Sequence, residues 1–502
     1  MLIELHSHTS QHSQCSHIKP STLVKKSIEK GIQALVITEH HYLWTDEEIS
    51  DFLKKNEIYD NFLLFSAQEV NTNVGHVLVI GAKETIKEEL SLIKLKESYP
   101  DAALILAHPF RNGRKPSKDD LLNPLLDAIE IFSSNHTLLE NYLGLKLWHE
   151  YKFNAVSGSD THHEDTCAIF PTLFDHPVRN LEELIFEIKN KRCRPFFKEI
   201  QKFGSTMAVE EITFGTKGTD DSRSRIIIKK PKNSDKWDSL KNSANINKEI
   251  YLNNFSNGKY RVPKIIEINE QEEMILEEGQ RGKTLFDLLP IVSPSTGALY
   301  FKMTAKWIAK LHKANHKISS LDNTRNKENK RLKSYLKSFT STNNPFTEKA
   351  SKVIDFIDQN ETLFFDSRSN HFVQVHGDYH PKNIIIGQDY SHDIETLFLS
   401  VIDFGSSFSF LPSYDVGYFI SQFINQFINL PRILVQYTAS DFIKYYMEEF
   451  EEVNSVNFVK EIYFFRIRAN MSIASFLIKV GKGESDNLKW LINQSEMIMN
   501  NF

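Results

Sequence analysis

The sequence predicts two successive regions of different build, α/β over residues 1–197 and α+β over residues 198–502. The second has a small lobe at about 203–280 and a large lobe at about 281–502. Three observations support this. The chain has 502 residues, more than one ordinary core can serve when domains usually run to about 100–200 residues. Up to Phe197, short apolar runs alternate with amphipathic ones, the pattern of parallel strands joined by helices. Beyond it the pattern changes to two strands flanking a polar turn, then to long helical stretches.

Composition narrows the function classes. Apolar residues make up 40% and charged residues 25%, as in globular proteins, and no apolar run approaches the roughly 20 residues that span a bilayer. Leu2-Ile3-Glu4-Leu5 enters a strand without a signal-peptide pattern, so a cytoplasmic location is expected. Cys15, Cys167 and Cys193 are too few and too scattered for a disulfide framework or a cysteine-ligated zinc site. A net charge of −5 gives no electrostatic support for sequence-independent nucleic-acid binding.

In the first region the expected strands are Leu2–Leu5, Ala34–Thr38, Leu63–Ala67, Val77–Ile80, Ala103–Ala107, Ala128–Phe132 and Ala155–Ser157. Between the first two, Pro20-Ser21 opens a helix with apolar positions at Leu23, Val24 and Ile28, and Gly31 stops it. Nearly every strand ends on a metal-type ligand. His6 and His8 follow the first strand, Glu39, His40 and His41 the second, Glu69 the third, His108 the fifth, and Asp160 with His162 the seventh; His76 precedes the fourth. In a parallel barrel the strand ends converge on one rim, so ligands distant in sequence meet in space. His6 and His8, two apart on an extended segment, point to one side. A carboxylate such as Glu69 can bridge two ions, and mixed His/Asp/Glu ligation suits Zn²⁺, Mn²⁺ or Fe²⁺ and metal-assisted phosphoester hydrolysis.

The motifs His6-Ser-His8-Thr, Ile37-Thr-Glu39-His40, Gln68-Glu69-Val70, Gly75-His76, Ala107-His108-Pro109 and Gly158-Ser-Asp160-Thr-His162 resemble those of the PHP domain, named for polymerase and histidinol phosphatase. The resemblance implies a distorted seven-stranded β/α barrel with two or three divalent transition metals. It implies a first metal on His6, His8, Glu69 and Asp160, a second on Glu69, His76 and His108, and a third partly on His40 and His162. A further ligand is expected after the first motif, where Gln11, His12, Cys15 and His17 stand, and His12 is favoured. Where the family often has Asp, this chain has Glu39.

After a basic connector near Lys191 to Lys202, Gly204 to Gly215 and Arg225-Ile-Ile-Ile-Lys229-Lys230 read as two strands around a turn centred on Lys217-Gly218. They resemble a nucleotide-covering hairpin and the strand carrying a phosphate-binding lysine; Lys229 is favoured, with Lys230 on the other face as the alternative. Asn247-Lys-Glu249-Ile has helical character, and Glu249 is the candidate partner of that lysine. Met274 to Glu278 reads as a strand running into a hinge. Ala298 to His316 has a helical apolar face, Asn315 to Asn344 is the most polar tract, and from Phe419 onward aromatics recur at core-like helical spacing.

Val375-His376-Gly377-Asp378-Tyr379-His380-Pro381-Lys382-Asn383-Ile384 is a polar turn between apolar segments, and Leu399-Ser-Val-Ile-Asp403-Phe-Gly405 ends a buried-looking strand on a second carboxylate. Phosphoryl transfer needs one acid to orient the attacking hydroxyl, and an Asn with a second acid to hold Mg²⁺ on the nucleotide. Asp378, Asn383 and Asp403 supply that set. The pattern resembles the aminoglycoside phosphotransferase and choline kinase branch of the kinase-like proteins, over roughly residues 200–502. The resemblance implies a bilobal protein-kinase-like fold, ATP with Mg²⁺, a small-molecule hydroxyl as acceptor, and Asp415 as a brace for the loop. The expected protein is therefore a bifunctional enzyme, acting on a small-molecule phosphoester in one half and a small-molecule hydroxyl in the other. The alternatives are one active half, a nucleotide-sensing scaffold, or a first half acting on nucleic acid.

Overall fold

All seven strands expected in the first region form in the computed structural model, as β1 (Leu2–Glu4), β2 (Ala34–His40), β3 (Leu63–Thr72), β4 (Gly75–Ile80), β5 (Ala103–Leu106), β6 (Ala128–Phe132) and β7 (Ala155–Ser157). Two more, β8 (Thr172–Phe174) and β9 (Cys193–Pro195), complete a nine-stranded sheet ordered β7-β6-β5-β4-β3-β2-β1-β8-β9. Its first and last strands lie against each other, so the sheet is nearly closed. The described residues are 1–58, 62–204, 207–216, 223–314, 318–390, 393–450 and 455–502.

The expectation of parallel strands holds for β1–β2–β3 and β5–β6–β7, but β4 runs antiparallel to both its neighbours. The reason is loop length. Only two residues separate Thr72 from Gly75, and a parallel pair needs a crossover of a dozen or more. Helices α1 (Pro20–Glu29), α2 (Asp46–Lys55), α3 (Leu92–Ser98), α4 (Lys118–Leu121), α5 (Leu138–Tyr151) and α6 (Leu181–Lys189) supply connections. The segment read as a basic connector is instead largely strand, β10 (Phe197–Phe203), an edge strand whose outward lysines disguised it.

β10 joins β11 (Met207–Phe214) and β12 (Arg225–Pro231) antiparallel, and the turn expected at Lys217-Gly218 lies outside the described residues. After α7 (Trp237–Ile250) and the two-residue β13 (Tyr260–Arg261), strands β14 (Ile265–Asn269) and β15 (Met274–Glu278) complete a five-stranded sheet ordered β10-β11-β12-β15-β14. The compact units do not divide at 197/198. One unit is Met1–Lys232 with Ile266–Gly279, and the other is Asn233–Ile265 with Gln280–Phe502. Strands β11, β12 and β15 and most of β14 thus belong with the nine-stranded sheet, while β13 belongs to the second unit.

Packing explains the first unit. Ile212, Phe214, Ile226, Ile228, Met274 and Leu276, on one face of the five-stranded sheet, share a core with Phe132, Phe170 and Leu145. Helix α5 reads Leu138-Leu-Glu-Asn-Tyr-Leu-Gly-Leu-Lys-Leu-Trp148, apolar on more than one side, as a helix packed against two sheets must be. Gly144 lets it approach β6, since a Cβ there would sit 2.7 Å from the Ile131 carbonyl oxygen. On its other side the Tyr142 hydroxyl meets Met274 Sδ at 3.5 Å, and Lys146 pairs with Glu272.

The second unit contains β16 (Lys283–Thr284), α8 (Leu285–Leu288), α9 (Pro294–Lys313), α10 (Leu321–Thr340), α11 (Thr347–Arg368), β17 (Val373–Val375), β18 (Ile384–Gln388), β19 (Leu397–Val401), β20 (Phe408–Phe410), α12 (Ser413–Gln426), α13 (Pro431–Gln436), α14 (Ala439–Met447), α15 (Ser455–Lys479) and α16 (Asp486–Asn500). A sheet ordered β13-β19-β18-β16 and the pair β17–β20 lie among these helices. The expected aromatic stripe is core, with Phe301, Phe419, Phe423 and Phe442 in contact. No helix among the described residues is long and apolar enough to cross a membrane.

Candidate functional site

The parallel run β1–β2–β3 and the ends of β5 and β7 bring the predicted rim ligands together. Three groups of donor atoms lie within 4.8 Å of one another among the described residues: His6, His8, Glu69 and Asp160; Glu69, His76 and His108; and His8, Cys15, His40 and His162. The first two groups contain every residue expected for the first and second metals. The third contains His40 and His162 but not His12, whose ring stacks on Tyr42 at 3.6 Å between centroids. Cys15, one of the four residues left open after the first motif, takes the place in this group for which His12 was favoured.

The geometry fits cations. Glu69 and Asp160 are buried carboxylates at 3% and 2% exposure, and His6 and His8 are wholly buried. Glu69 Oε1 meets His108 Nε2 at 2.9 Å and His76 Nδ1 at 2.5 Å, and its Oε2 meets His8 Nε2 at 3.1 Å, so one carboxylate faces two groups. Asp160 Oδ1 is buried without a hydrogen-bond partner and lies 3.2 Å from His8 Nε2, an acceptor suited to a bound cation. Burial would lower the pKa of His8, yet the Asp160 and Glu69 carboxylates beside it lift it to about 9, as a strongly negative cluster requires.

Glu130, a residue not singled out from the sequence, holds the predicted ligands in place. Glu130 on β6 accepts from His6 Nδ1 at 3.0 Å and from the His108 backbone N–H at 2.7 Å, which turns the His6 Nε2 lone pair into the cluster. Gly158 makes room for this pair, since a Cβ there would sit 2.4 Å from Glu130 Oε1 and 2.5 Å from His6 Cβ. Ser13 donates to Glu39, which also accepts from Thr9 and from Trp44 Nε1. Glu39 therefore supports the loop after His8 rather than joining the cluster. The His162 Nδ1–H donates to the Asp160 carbonyl at 2.9 Å, leaving Nε2 available. His108 and Asp160 adopt left-handed φ of 29° and 46°, a strain of the kind that collects at functional sites.

In the second unit, the loop between β17 and β18 carries the other constellation. Asp378 Oδ1 accepts from the Tyr418 hydroxyl at 2.7 Å, and Oδ2 lies 3.6 Å from His380 Nε2. Burial would raise the Asp378 carboxyl, but His380 and the Tyr418 hydroxyl hold it down at about 2. Asn383 Nδ2 donates to the Asp378 carbonyl at 3.0 Å. The register of Ile384 with Val401, and a 3.0 Å bond from the Ile402 N–H to the Asn383 carbonyl, put Asn383 and Asp403 at one end of the β18–β19 hairpin. Asp403 has a φ of 68° and caps its own turn through Gly405 N–H at 3.2 Å.

Asp415 braces this loop, as the resemblance implied. Wholly buried, it accepts from the His376 and Gly377 backbone N–H groups at 2.7 and 2.9 Å and pairs with His312 Nε2 at 3.0 Å. The other His312 nitrogen meets the Tyr446 hydroxyl at 2.8 Å. The His376 ring spans from Asp378 N–H at 3.2 Å to the Ile402 carbonyl at 3.1 Å, tying the loop to the strand that ends at Asp403. Gly377, at φ 80°, cannot be replaced without strain, because a Cβ would meet the Ser406 carbonyl oxygen at 2.1 Å.

Of the remaining predicted residues, Lys229 shares a sheet face with Glu277 and pairs with it at 2.8 Å, on the side opposite Ile226 and Ile228. Lys230 is exposed at the strand end, and Glu249 is exposed on α7. Gly215, expected to belong to a nucleotide-covering hairpin, has a packing role: its φ is 76° and a Cβ would meet the Ile169 carbonyl oxygen at 2.0 Å.

Residues 219–450, just under half of the chain, match the model of the phosphotransferase enzyme family, so the C-terminal region is phosphotransferase-like. Among curated proteins none matches the chain. Similar solved structures include a choline kinase from Cryptosporidium parvum, at 15% identity over 61% of this chain and 90% of that one with a TM-score of 0.42. An ethanolamine kinase from Plasmodium vivax is 16% identical over 61% of this chain and 81% of that one, with a TM-score of 0.37. PsfC from Pseudomonas syringae is 15% identical over 39% of this chain and 91% of that one, with a TM-score of 0.32.

Proposed function

We propose that the chain is a bifunctional enzyme: its PHP-like N-terminal region hydrolyses a small-molecule phosphoester, and its C-terminal region transfers phosphate from ATP to a small-molecule hydroxyl. The hydrolase half is supported above all by Glu69, one buried carboxylate facing both His6–His8–Asp160 and His76–His108. Zn²⁺, Mn²⁺ or Fe²⁺ bound there supplies Lewis acidity toward a phosphoryl oxygen and a hydroxide nucleophile at neutral pH. His6, His8, Glu69 and Asp160 would hold the first ion, Glu69, His76 and His108 the second, and His40 and His162 part of a third. Glu130 keeps His6 in the tautomer whose Nε2 can ligate.

The kinase half is supported by the family match over residues 219–450 together with the geometry of Asp378. Asn383 and Asp403 are assigned to Mg²⁺, which with ATP offsets the phosphate charge, and Lys229 to the nucleotide phosphates. Asp378, held near pKa 2, is an anion at neutral pH and orients the acceptor hydroxyl more than it deprotonates it in advance. As the acceptor oxygen bonds to phosphorus and the bond to the ADP oxygen breaks, the hydroxyl proton passes to Asp378 and then to solvent. Asp378, Asn383 and Asp403 are all present, which favours turnover over nucleotide sensing.

A metabolite-extract screen by mass spectrometry tests both halves, with Asp378→Asn and His108→Ala as paired controls. The expected result is two groups of altered metabolites, each abolished by one substitution. Purified protein that hydrolyses no phosphomonoester or diester with Mn²⁺ or Zn²⁺, and consumes no ATP with any hydroxyl acceptor, refutes the proposal.

A further inference from the structure

We infer that Cys15 is a metal ligand, completing with His40 and His162 a thiolate-containing third site that selects a thiophilic ion such as Zn²⁺. The inference rests on the metal-dependent reading of the barrel and adds a ligand to it. Cys15 Sγ, His40 and His162 belong to one group of donors within 4.8 Å of one another. His8 belongs to the same group, but its Nε2 faces Glu69 and Asp160 at 3.1 and 3.2 Å and its Nδ1 lies 3.4 Å from Ser13 Oγ. A nitrogen offers one lone pair, so His8 stays with the first site. Three protein ligands remain for the third, the number that leaves a coordination position open in catalytic zinc sites.

The loop is built to present this thiol. Residues Ser13 to Ser16 form a turn closed by a 3.1 Å bond from the Ser16 N–H to the Ser13 carbonyl, and Cys15 occupies its third position. Both ends of the turn are fastened to the cluster. Ser13 Oγ lies against His8 Nδ1 and donates to Glu39, while Ser16 Oγ donates to the His8 carbonyl at 3.0 Å. The next residue is fixed as well, since the His17 N–H donates to the His162 carbonyl at 2.9 Å. A surface cysteine on a free loop would have no such anchors. The donor chemistry then separates the sites: the first two offer imidazole and carboxylate, compatible with Mn²⁺ or Fe²⁺, whereas a thiolate with two imidazoles favours zinc.

Cobalt(II) is the probe, because a cobalt–thiolate bond gives an intense near-ultraviolet charge-transfer band that imidazole and carboxylate ligation lack. Full-length protein stripped with a chelator and titrated with Co²⁺ is expected to bind three equivalents, one per donor group, with that band growing in with one of them. Cys15→Ser should retain two equivalents and lose the band, and His12→Ala should change neither. Of the three cysteines only Cys15 is exposed, so alkylation of the folded chain reads this thiol, and Zn²⁺ should slow it. Two equivalents bound by the unmodified protein with no thiolate band overturn the role of Cys15 and leave the metallo-hydrolase reading standing. No bound Co²⁺ at all overturns both.

Discussion

Replacing Phe214 with alanine tests whether the five-stranded sheet stabilises the nine-stranded one through their shared core. Phe214 ends β11 at 0% exposure, with its ring centroid 4.7 Å from Phe132 on β6 and 5.6 Å from Phe170. Truncating a buried phenylalanine costs about 3–5 kcal/mol through lost transfer energy and the cavity left behind. Each aromatic pair contributes about 0.5–1.5 kcal/mol within that sum. At about 1.4 kcal/mol per decade, amides that exchange by opening of this shared core should exchange roughly 10² to 4 × 10³ times faster. Native-state hydrogen exchange resolves where the loss falls. Protection should drop in β6 and β7 as well as in β11 and β12, while α12 and α15 of the other unit keep theirs. Phe214→Leu should show the same distribution at about 1–1.5 kcal/mol, and Phe132→Ala with Phe214→Ala should couple by 0.5 kcal/mol or more. If β11 and β12 lose protection while β6 and β7 keep it, the shared core is not a cooperative unit and the reasoning fails.

Asp378→Asn should lower ATP-dependent phosphorylation at least about 10²-fold while leaving metal-dependent phosphoester hydrolysis unchanged, both measured on the same preparation. Tyr418→Phe removes a hydrogen bond that favours the Asp378 anion, so its pKa rises from about 2 and the acid limb of kcat/KM moves to higher pH. The sign is fixed, because the protonated acid below that pKa cannot take the hydroxyl proton; a limb that moves down or stays in place contradicts the role of Tyr418. Asp415→Ala leaves two buried backbone N–H groups and His312 without their acceptor and should cost about 3–5 kcal/mol, read by denaturant unfolding. Glu130→Gln should weaken metal binding about 10- to 100-fold without removing a ligand, seen by competition with a chromophoric chelator.

The rim cluster was legible because candidate ligands at strand ends are marked twice, by residue type and by the apolar run before them. His6, Glu69, His108 and Asp160 could each be placed from the sequence, since the seven strands before or after such residues formed where expected. The choice between Cys15 and His12 was not legible: residue type favours His12, and the turn from Ser13 to Ser16 is what brings Cys15 to the cluster while His12 stacks on Tyr42. Glu130 was hidden inside Ala128-Ile-Glu-Ile-Phe132, where a carboxylate in an apolar strand carries no sign of its partner 124 residues away. The loop at Asp378 was readable as a local motif, whereas its support from Tyr418 and His312 comes from helices whose register only the fold fixes.

The division into compact units departs from 197/198 for a reason that also bears on the proposed mechanism. A five-stranded sheet has two faces. On β12 and β15 the face bearing Lys229 and Glu277 carries charge, so the opposite face, with Ile226, Ile228, Met274 and Leu276, needs an apolar cover. Helix α5, apolar on the side turned away from β6, supplies it, and β10, β11 and β12 are continuous in packing with the nine-stranded sheet. Composition marks where strands give way to helices, but not which sheet face a helix will cover. The lysine proposed for nucleotide phosphates is thus held on a sheet whose back is the core of the proposed hydrolase. Its position depends on side chains such as Phe132 and Phe214 that touch neither reaction.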